Sequence, residues 1–201
     1  MNIVRNAFLA LGSMLSLLLI VVGVVGYLLT GPAPVSWSTT PEVWSWYEAR
    51  ALDDKVEGFE QEIAEGSAGD CVTLTLLEDE VNSKLNELAS NERLPLEMKD
   101  ICIYFDDGLV KGSATVKLLI DVQVATEARI AIRDGRPVIS IESLHLGRLP
   151  IPKTLTDNVI AALMGQAGTR LESLPIELTK IVVGEAWIII SGEVKESSSE
   201  A

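Results

Sequence analysis

The chain has 201 residues, of which 29 are acidic and 16 are Lys or Arg, so its formal net charge is −13. This excess of carboxylates argues against nucleic-acid binding and against electrostatic adhesion to anionic lipid, because both need a basic surface. The length suffices for one domain with a modest core, and with only three Phe that core must be mainly aliphatic.

The first predicted element is a membrane span, because residues 7–30 contain no charged side chain. As a helix this stretch would be roughly 36 Å long, enough to cross a hydrocarbon core of about 30 Å. A cleaved signal peptide is the alternative, although its apolar stretch is normally about 7–15 residues. We therefore predict a signal-anchor transmembrane helix in residues 1–31. Arg5 favours a cytoplasmic N-terminus, which places the rest of this single-pass plasma-membrane protein outside the cytoplasm.

Residues 32–68 form a Trp-rich juxtamembrane segment. Amphipathic aromatic rings favour the membrane interface, and we predict that position for Trp37, Trp44, Trp46 and Tyr47. Thr40 and Pro41 are typical of a helix start, and apolar residues then recur at helical spacing from Trp44 to Ile63. This helix could pack on its own domain, act as a stalk, or bind a partner.

Residues 69–195 are predicted to form the extracytoplasmic domain, followed by a polar tail at 196–201. The domain begins with a short strand over residues 71–75, after which Thr75 and Glu78 resemble a capping box. Cys71 and Cys102 could form a disulfide closing a loop of about 32 residues, worth roughly 3–4 kcal/mol. Two thiols that stay reduced are the alternative.

The longest signal is an alternation of apolar and polar residues from Val110 to Ile132, which predicts a strand with one apolar face. Asp106-Asp107-Gly108 predicts the turn that precedes it. We predict one long, bent strand, because no Gly, Pro or Asn marks a break. A hairpin with a three- or five-residue loop near Ala125–Glu127 would keep the phase and stays open.

A second hairpin is predicted at Asp134-Gly135, and the return strand 137–146 shifts its phase, which indicates a bulge near Glu142–Ser143. An amphipathic helix is predicted over Leu155–Leu174, and two final strands over Ile176–Val183 and Ala186–Val194. The predicted fold class is α+β, with a long curved antiparallel sheet wrapped around an amphipathic helix.

Several of these segments resemble the bacterial YpmS-like and LmeA-like proteins over roughly residues 70–194. The resemblance lies in strand and turn patterns, namely Val72-Thr-Leu-Thr, Glu80-Val-Asn-Ser-Lys-Leu, Tyr104-Phe-Asp-Asp-Gly, Asp134-Gly-Arg-Pro-Val and Gly147-Arg-Leu-Pro-Ile-Pro. It implies a bacterial envelope protein with a fold similar to tubular lipid-binding domains and a role in phospholipid binding or envelope maintenance. It carries no catalytic residues.

The apolar face of the long strand is the candidate lipid-binding site, together with one face of the Leu155–Leu174 helix. The residues are Val110, Ala114, Val116, Leu118, Ile120, Val122, Val124, Ile130, Ile132, Leu155, Val159 and Leu163. The same pattern also builds an ordinary packed core, and that alternative stays open. The predicted ligand is a membrane lipid. A non-catalytic subunit of a larger membrane protein complex is the second hypothesis, with a membrane-protein partner.

Catalysis is not expected, and no cofactor or metal is predicted. The single histidine, His145, is three residues from Glu142, but in a strand residues at that spacing point to opposite faces. No nucleophile elbow is present, and Gly165 and Gly168 lie inside the predicted helix, where they cannot form a phosphate loop.

Overall fold

The structure, a computed structural model, describes residues 26–38, 43–94, 97–117, 119–133, 135–153 and 175–195. Within these ranges no helix is both long enough and apolar enough to cross a bilayer. Four predictions lie largely or wholly outside them: the span at 7–30, the helix start at Thr40–Pro41, the helix Leu155–Leu174 and the polar tail at 196–201.

The described chain is α+β, with two antiparallel sheets. After a helical turn at residues 26–30, the elements are α1 (Trp46–Glu65), β1 (Cys71–Leu77), α2 (Glu78–Ser90), β2 (Met98–Asp106), β3 (Leu109–Lys117), β4 (Asp121–Arg133), β5 (Arg136–Leu146), β6 (Leu149–Pro150), β7 (Ile176–Val183) and β8 (Trp187–Val194). The strands form a three-stranded sheet in the order β1-β8-β7 and a five-stranded sheet in the order β2-β3-β4-β5-β6.

The prediction of one long strand over Val110–Ile132 is wrong. The run is a hairpin of β3 and β4, in which Lys117 pairs with Asp121 across a three-residue loop. A loop of that length returns the chain with the same parity, so Ala114 faces Val124 and the apolar phase survives the turn. The alternative of a hairpin with a three-residue loop is therefore right about the loop length. The loop lies between Lys117 and Asp121 and not near Ala125–Glu127.

The β2–β3 and β4–β5 turns, at the opposite end of the sheet from the β3–β4 loop, lie where the sequence predicts them. Asp107 and Gly108 both have positive φ, 35° and 86°, as a two-residue hairpin turn requires. Gly135 at φ 71° lies in the β4–β5 turn. The predicted bulge is also confirmed, because Glu127 pairs with Ser143 and Ala128 with Ile141, which leaves Glu142 as the extra residue.

Helix α2 begins later than predicted, at Glu78, because β1 continues to Leu77. Thr75 is therefore a strand residue, and Glu80 supplies the carboxylate that accepts the Leu77 N–H at 3.0 Å. The buried Glu80 carboxylate also pairs with Lys55 of α1 at 2.7 Å. A second ion pair, between Lys84 and Asp53 at 2.6 Å, holds the same two helices together.

Side chains of α2 bond to the backbone of β2, the edge strand of the five-stranded sheet. Asn82 donates to the Ile103 carbonyl (2.8 Å) and accepts from its N–H (2.6 Å). Asn86 makes the same pair of bonds with Ile101, at 2.8 and 3.2 Å. Both asparagines can bond in the same way because their spacings match. Four residues of helix α2 advance about 6.0 Å, and two residues of strand β2 advance about 6.6 Å. The edge of β2 is thereby satisfied by side chains.

Two apolar clusters lie along one face of the three-stranded sheet. In the first, Ile63 and Phe59 of α1 pack on that sheet against Val72, Ile176 and Val194. In the second, the two sheets meet: Phe105 packs with Val183 and Ile188, surrounded by Leu76, Val81, Ile103, Val110, Ile130, Ile181 and Ile190. Each buried aliphatic or aromatic side chain of this size contributes about 1.5–3 kcal/mol.

Candidate functional site

The predicted apolar face is formed by β3 and β4 lying side by side. The register pairs Val110 with Ala128, Ala114 with Val124, and Val116 with Val122. Val116 and Val122 are buried, and Val110, Ala114, Val124, Ile130 and Ile132 are half-buried. Leu118, Leu155, Val159 and Leu163 lie outside the described residues. The described candidates therefore share one face, apart from Ile120 in the loop.

One end of this face belongs to the core between the sheets. Val110 and Ile130 pack against the cluster of Phe105, Val183 and Ile188. At Gly112 an added Cβ would lie 3.2 Å from Cδ1 of Ile103, so the missing side chain makes room for Ile103. The packed-core interpretation therefore holds for this end, and the candidate lipid site shortens to Ala114, Val116, Val122 and Val124.

The other end of the face finishes in an exposed apolar hairpin loop. Leu119 is fully exposed and Ile120 is 43% exposed. They are the second and third residues of the loop between Lys117 and Asp121, which pair with each other and close the hairpin. We call Leu119 and Ile120 the β3–β4 tip. Exposed aliphatic side chains in a short hairpin loop contribute nothing to the core, which marks this tip as a candidate contact surface.

The last residues of the predicted span and the residues that follow it dock beside the tip. Ala33 donates its N–H to Oε1 of Gln123 at 2.8 Å, and Arg148 donates its N–H to the Leu28 carbonyl at 2.7 Å. Gly147 makes this approach possible, because an added Cβ would lie 2.5 Å from the carbonyl oxygens of Leu28 and Leu29. Gln123 is three residues from Ile120, or about 10 Å along the strand.

An aromatic ring and a cation accompany this docking site. The Arg148 guanidinium lies 4.4 Å from the centre of the Tyr27 ring, and Tyr27 is 64% exposed. Tyrosine and arginine at the end of an apolar stretch are typical of the boundary between a membrane and water. Tyr27 and Arg148 thus have the chemistry expected where the chain would leave a bilayer.

Trp37, one of the residues predicted to lie at the membrane interface, packs on the five-stranded sheet. Its Nε1 donates to Oε1 of Glu127 at 2.9 Å, and its ring packs edge-on against Tyr104 with centroids 5.8 Å apart. Because Ala33 bonds at Gln123 and Trp37 at Glu127, residues 33–37 run about 13 Å along β4, away from the tip. Trp37 therefore fastens this segment to the polar face of the sheet.

The other predicted interface residues are exposed near the start of α1. Trp44, Trp46 and Tyr47 are 41%, 61% and 74% exposed, and Arg50 lies 5.6 Å from the Trp46 ring centre. Trp44 precedes the helix, which begins at Trp46. It lines an open cleft of about 560 Å³ whose other walls include Met98, Thr115, Lys117 and Asp121. Trp44 and the tip are thus at the same end of the domain.

Charges beside the tip are balanced in pairs. Lys99 bonds to Asp121 and Lys117 to Glu97, each at 2.6 Å. The hydrogen bond to Asp121 raises the pKa of Lys99, and the one to Glu97 raises the pKa of Lys117. Both lysines stay protonated with a carboxylate beside them, so the tip is flanked by neutral pairs.

Cys71 and Cys102 are not joined by a disulfide. Cys71 is exposed on β1 and Cys102 is buried on β2, in different sheets. Among the described residues no group of three or more His, Cys, Asp or Glu could hold a metal ion. His145 lies on the polar face, paired with Ala125, and its Nδ1 is buried without a hydrogen-bond partner in the described structure.

Sequence reasoning missed Leu119, Tyr27 and Arg148, and it placed Ile120 in a strand instead of a loop. One signal could have found the tip, because Leu119 is the only large apolar residue at an odd position between 110 and 132. That single break in the polar phase marks the loop. Comparison of the chain with protein-family models, with curated proteins and with solved structures gave no match.

Proposed function

We propose that this protein is a membrane-anchored, extracytoplasmic lipid-binding protein that holds an acyl chain on the aliphatic face of β3 and β4. Its role would be envelope lipid transport or maintenance. One observation carries the proposal. The aliphatic face continues from half-buried Ala114 and Val124 to the exposed β3–β4 tip, beside the residues that follow the predicted span.

The proposed binding surface is the half of this face that is away from the core between the sheets. Ala114 is its smallest side chain, and the pair Val116 and Val122 separates it from the tip. The predicted helix over Leu155–Leu174 would supply the opposite wall through Leu155, Val159 and Leu163, so that the sheet wraps around helix and lipid. An acyl chain would enter at the tip and leave its headgroup there.

The physical basis is shielding from water. Each CH₂ group that leaves water contributes about 0.8 kcal/mol, so ten carbons supply about 8 kcal/mol before the cost of association. No charged contact is needed for binding of that strength. The anchor would keep the domain within reach of the membrane that donates the lipid.

Photocrosslinking of the full chain in its membrane tests this proposal. A phosphatidylcholine that carries a diazirine on its acyl chain is incorporated, irradiated, and its adducts are mapped to peptides. Labelling of Ala114 or Val124, about 13 Å along the strands from the loop, is the expected result. Labelling confined to residues 7–30 would contradict it, and labelling of the tip alone would show membrane contact without a held chain.

A matched pair of substitutions tests the surface itself. Ala114→Trp fills the proposed space and should abolish the adduct at Val124, whereas Thr73→Trp adds the same side chain to an exposed position of β1 and should leave it. If Ala114→Trp instead unfolds the domain, the position is packed core.

The second candidate, a non-catalytic subunit of a larger membrane complex, is favoured by the exposed side chains at the start of α1. Val43 is 98% exposed, and the exposed Trp46 and Tyr47 follow it three and four residues further along the chain. Exposed aromatic clusters are enriched at protein interfaces. A photo-crosslinking amino acid in place of Trp46 tests it: a stoichiometric crosslink to one protein, together with no lipid adduct on β4, would favour this function.

A further inference from the structure

We infer that the β3–β4 tip inserts into the interfacial layer of the bilayer that the predicted span crosses, which gives the domain a second membrane contact. The inference rests on the anchored part of the proposed function and does not depend on whether an acyl chain is held. The partner that Leu119 and Ile120 contact is then the surface of the lipid bilayer.

The residue types at the tip support a lipid partner. Hairpin loops are normally polar, with Asn, Asp or Gly, as the loop at Asp107-Gly108 shows. The tip instead presents a fully exposed Leu119 and a 43% exposed Ile120. The centres of protein interfaces are enriched in aromatic residues and Arg, and the tip contains neither. Aliphatic side chains such as Leu and Ile instead suit the acyl region of a lipid bilayer.

The position of the tip supports the same partner. Leu28, near the end of the predicted span, bonds to Arg148, and Ala33, just after the span, bonds to Gln123. Gln123 is about 10 Å along β4 from Ile120. A bilayer has roughly 5–8 Å of headgroup region on each side of its hydrocarbon core. A domain fastened to the end of the span at this point cannot hold its tip far from the membrane surface.

The charges around the tip specify the kind of lipid surface. Lys99 pairs with Asp121 and Lys117 with Glu97, so both nearby lysines are already neutralised. The chain as a whole carries −13. An apolar tip with balanced flanks fits a zwitterionic surface and draws no strength from anionic headgroups, which need unpaired basic residues.

The test places an environment-sensitive fluorophore on the full chain in vesicles of phosphatidylcholine. In a Cys71→Ser background, Leu119→Cys carries the label, and Glu185→Cys carries it in the exposed β7–β8 turn as the control. Phosphatidylcholine brominated near the headgroup should quench the label at 119 at least about twofold more than at 185, as expected for side chains buried about 5–10 Å deep.

A second pair of variants keeps the result interpretable. Added to the labelled Leu119→Cys protein, Ile120→Asp should reduce the quenching to the level at 185, whereas Ile120→Leu should leave it unchanged. Both changes lie in an exposed loop, so circular dichroism should report the same fold. Equal quenching at 119 and 185 would overturn the inference. Quenching at 119 without photolabelling of Ala114 or Val124 would support the membrane contact and remove the lipid-holding function.

Discussion

The two ends of the five-stranded sheet are built from opposite kinds of residues. At one end, turns with positive φ at Asp107, Gly108 and Gly135 are polar or small, and the strands there pack against the second sheet. At the other end the β3–β4 tip is aliphatic and exposed. The first end is explained by folding alone. The second is not, and a residue choice that folding does not explain is a sign of function.

The largest expected difference between the two ends is in stability. Phe105→Ala removes a buried ring from the core between the sheets and should lower the free energy of unfolding by about 3–5 kcal/mol. Leu119→Ala, at the exposed tip, should change it by less than about 0.5 kcal/mol. Chemical denaturation of the full chain in detergent measures both, and a large effect at Leu119 would show that the tip is part of a core.

A second prediction concerns β2, the edge strand that runs between the two ends of the five-stranded sheet. Asn82→Leu leaves the N–H and carbonyl of Ile103 without their partners and should cost about 2–4 kcal/mol. Asn86→Leu should cost less, because the Asn86 side chain is half-buried whereas that of Asn82 is buried. Denaturation curves of the two variants measure this order, and equal, small costs would mean that the side-chain bonds add little.

A third prediction compares a glycine from each end. Gly147→Ala and Gly135→Ala both place a side chain at positive φ, at a cost of about 1–2 kcal/mol. Only at Gly147 does the added Cβ also meet backbone, the carbonyls of Leu28 and Leu29 at 2.5 Å, whereas at Gly135 it meets the flexible Glu177 side chain. Gly147→Ala should therefore cost more.

The same variant should loosen residues 26–38 from the sheet. Chymotrypsin should then cleave after Trp37 faster in Gly147→Ala than in Gly135→Ala, because Trp37 is held against Tyr104 and Glu127 only while that segment is docked. Equal cleavage rates in the two proteins would contradict the docking role of Gly147.

The smallest expected effect is a pH dependence between the helices. Hydrogen bonds from its ammonium to Asp53 and Glu87 raise the pKa of Lys84 above 10.5. Its stabilising contribution is therefore complete below pH 10.5 and is lost as the pH rises through the raised value. Between pH 9 and pH 12 the unfolding midpoint should fall less in Lys84→Met than in the unmodified chain, and parallel falls would contradict this.

Much of the fold can be predicted where local chemistry decides it. The turn at Asp107-Gly108, the bulge at Glu142 and the separation of apolar from polar faces on β3 and β4 all follow from residue type and period. The β3–β4 turn is harder to find that way, because a three-residue loop preserves parity, this loop has no Gly, Pro or Asn, and its one mark is Leu119 at an odd position. The alternation of apolar and polar residues shows which face of a sheet each side chain is on, but it does not show how many strands the segment forms.

The candidate site could be predicted only in part for a similar reason. The alternation selects Val110 and Ala114 alike, yet only the first packs against the second sheet. That choice depends on β7 and β8, which lie more than 60 residues further along the chain. The role of Asn82 is equally remote, because a polar residue on a helix gives no sign of the strand edge that it meets.

The bonds from Asn82 and Asn86 to β2 have a consequence for encounters between copies of this chain. A bare outer strand can recruit a strand from a neighbouring molecule, which begins stacking into aggregates. Here the amides of a helix already occupy the backbone groups of Ile101 and Ile103, and the irregularity between Lys99 and Cys102 distorts the rest of that border. Two copies can therefore collide along this side without sharing a sheet.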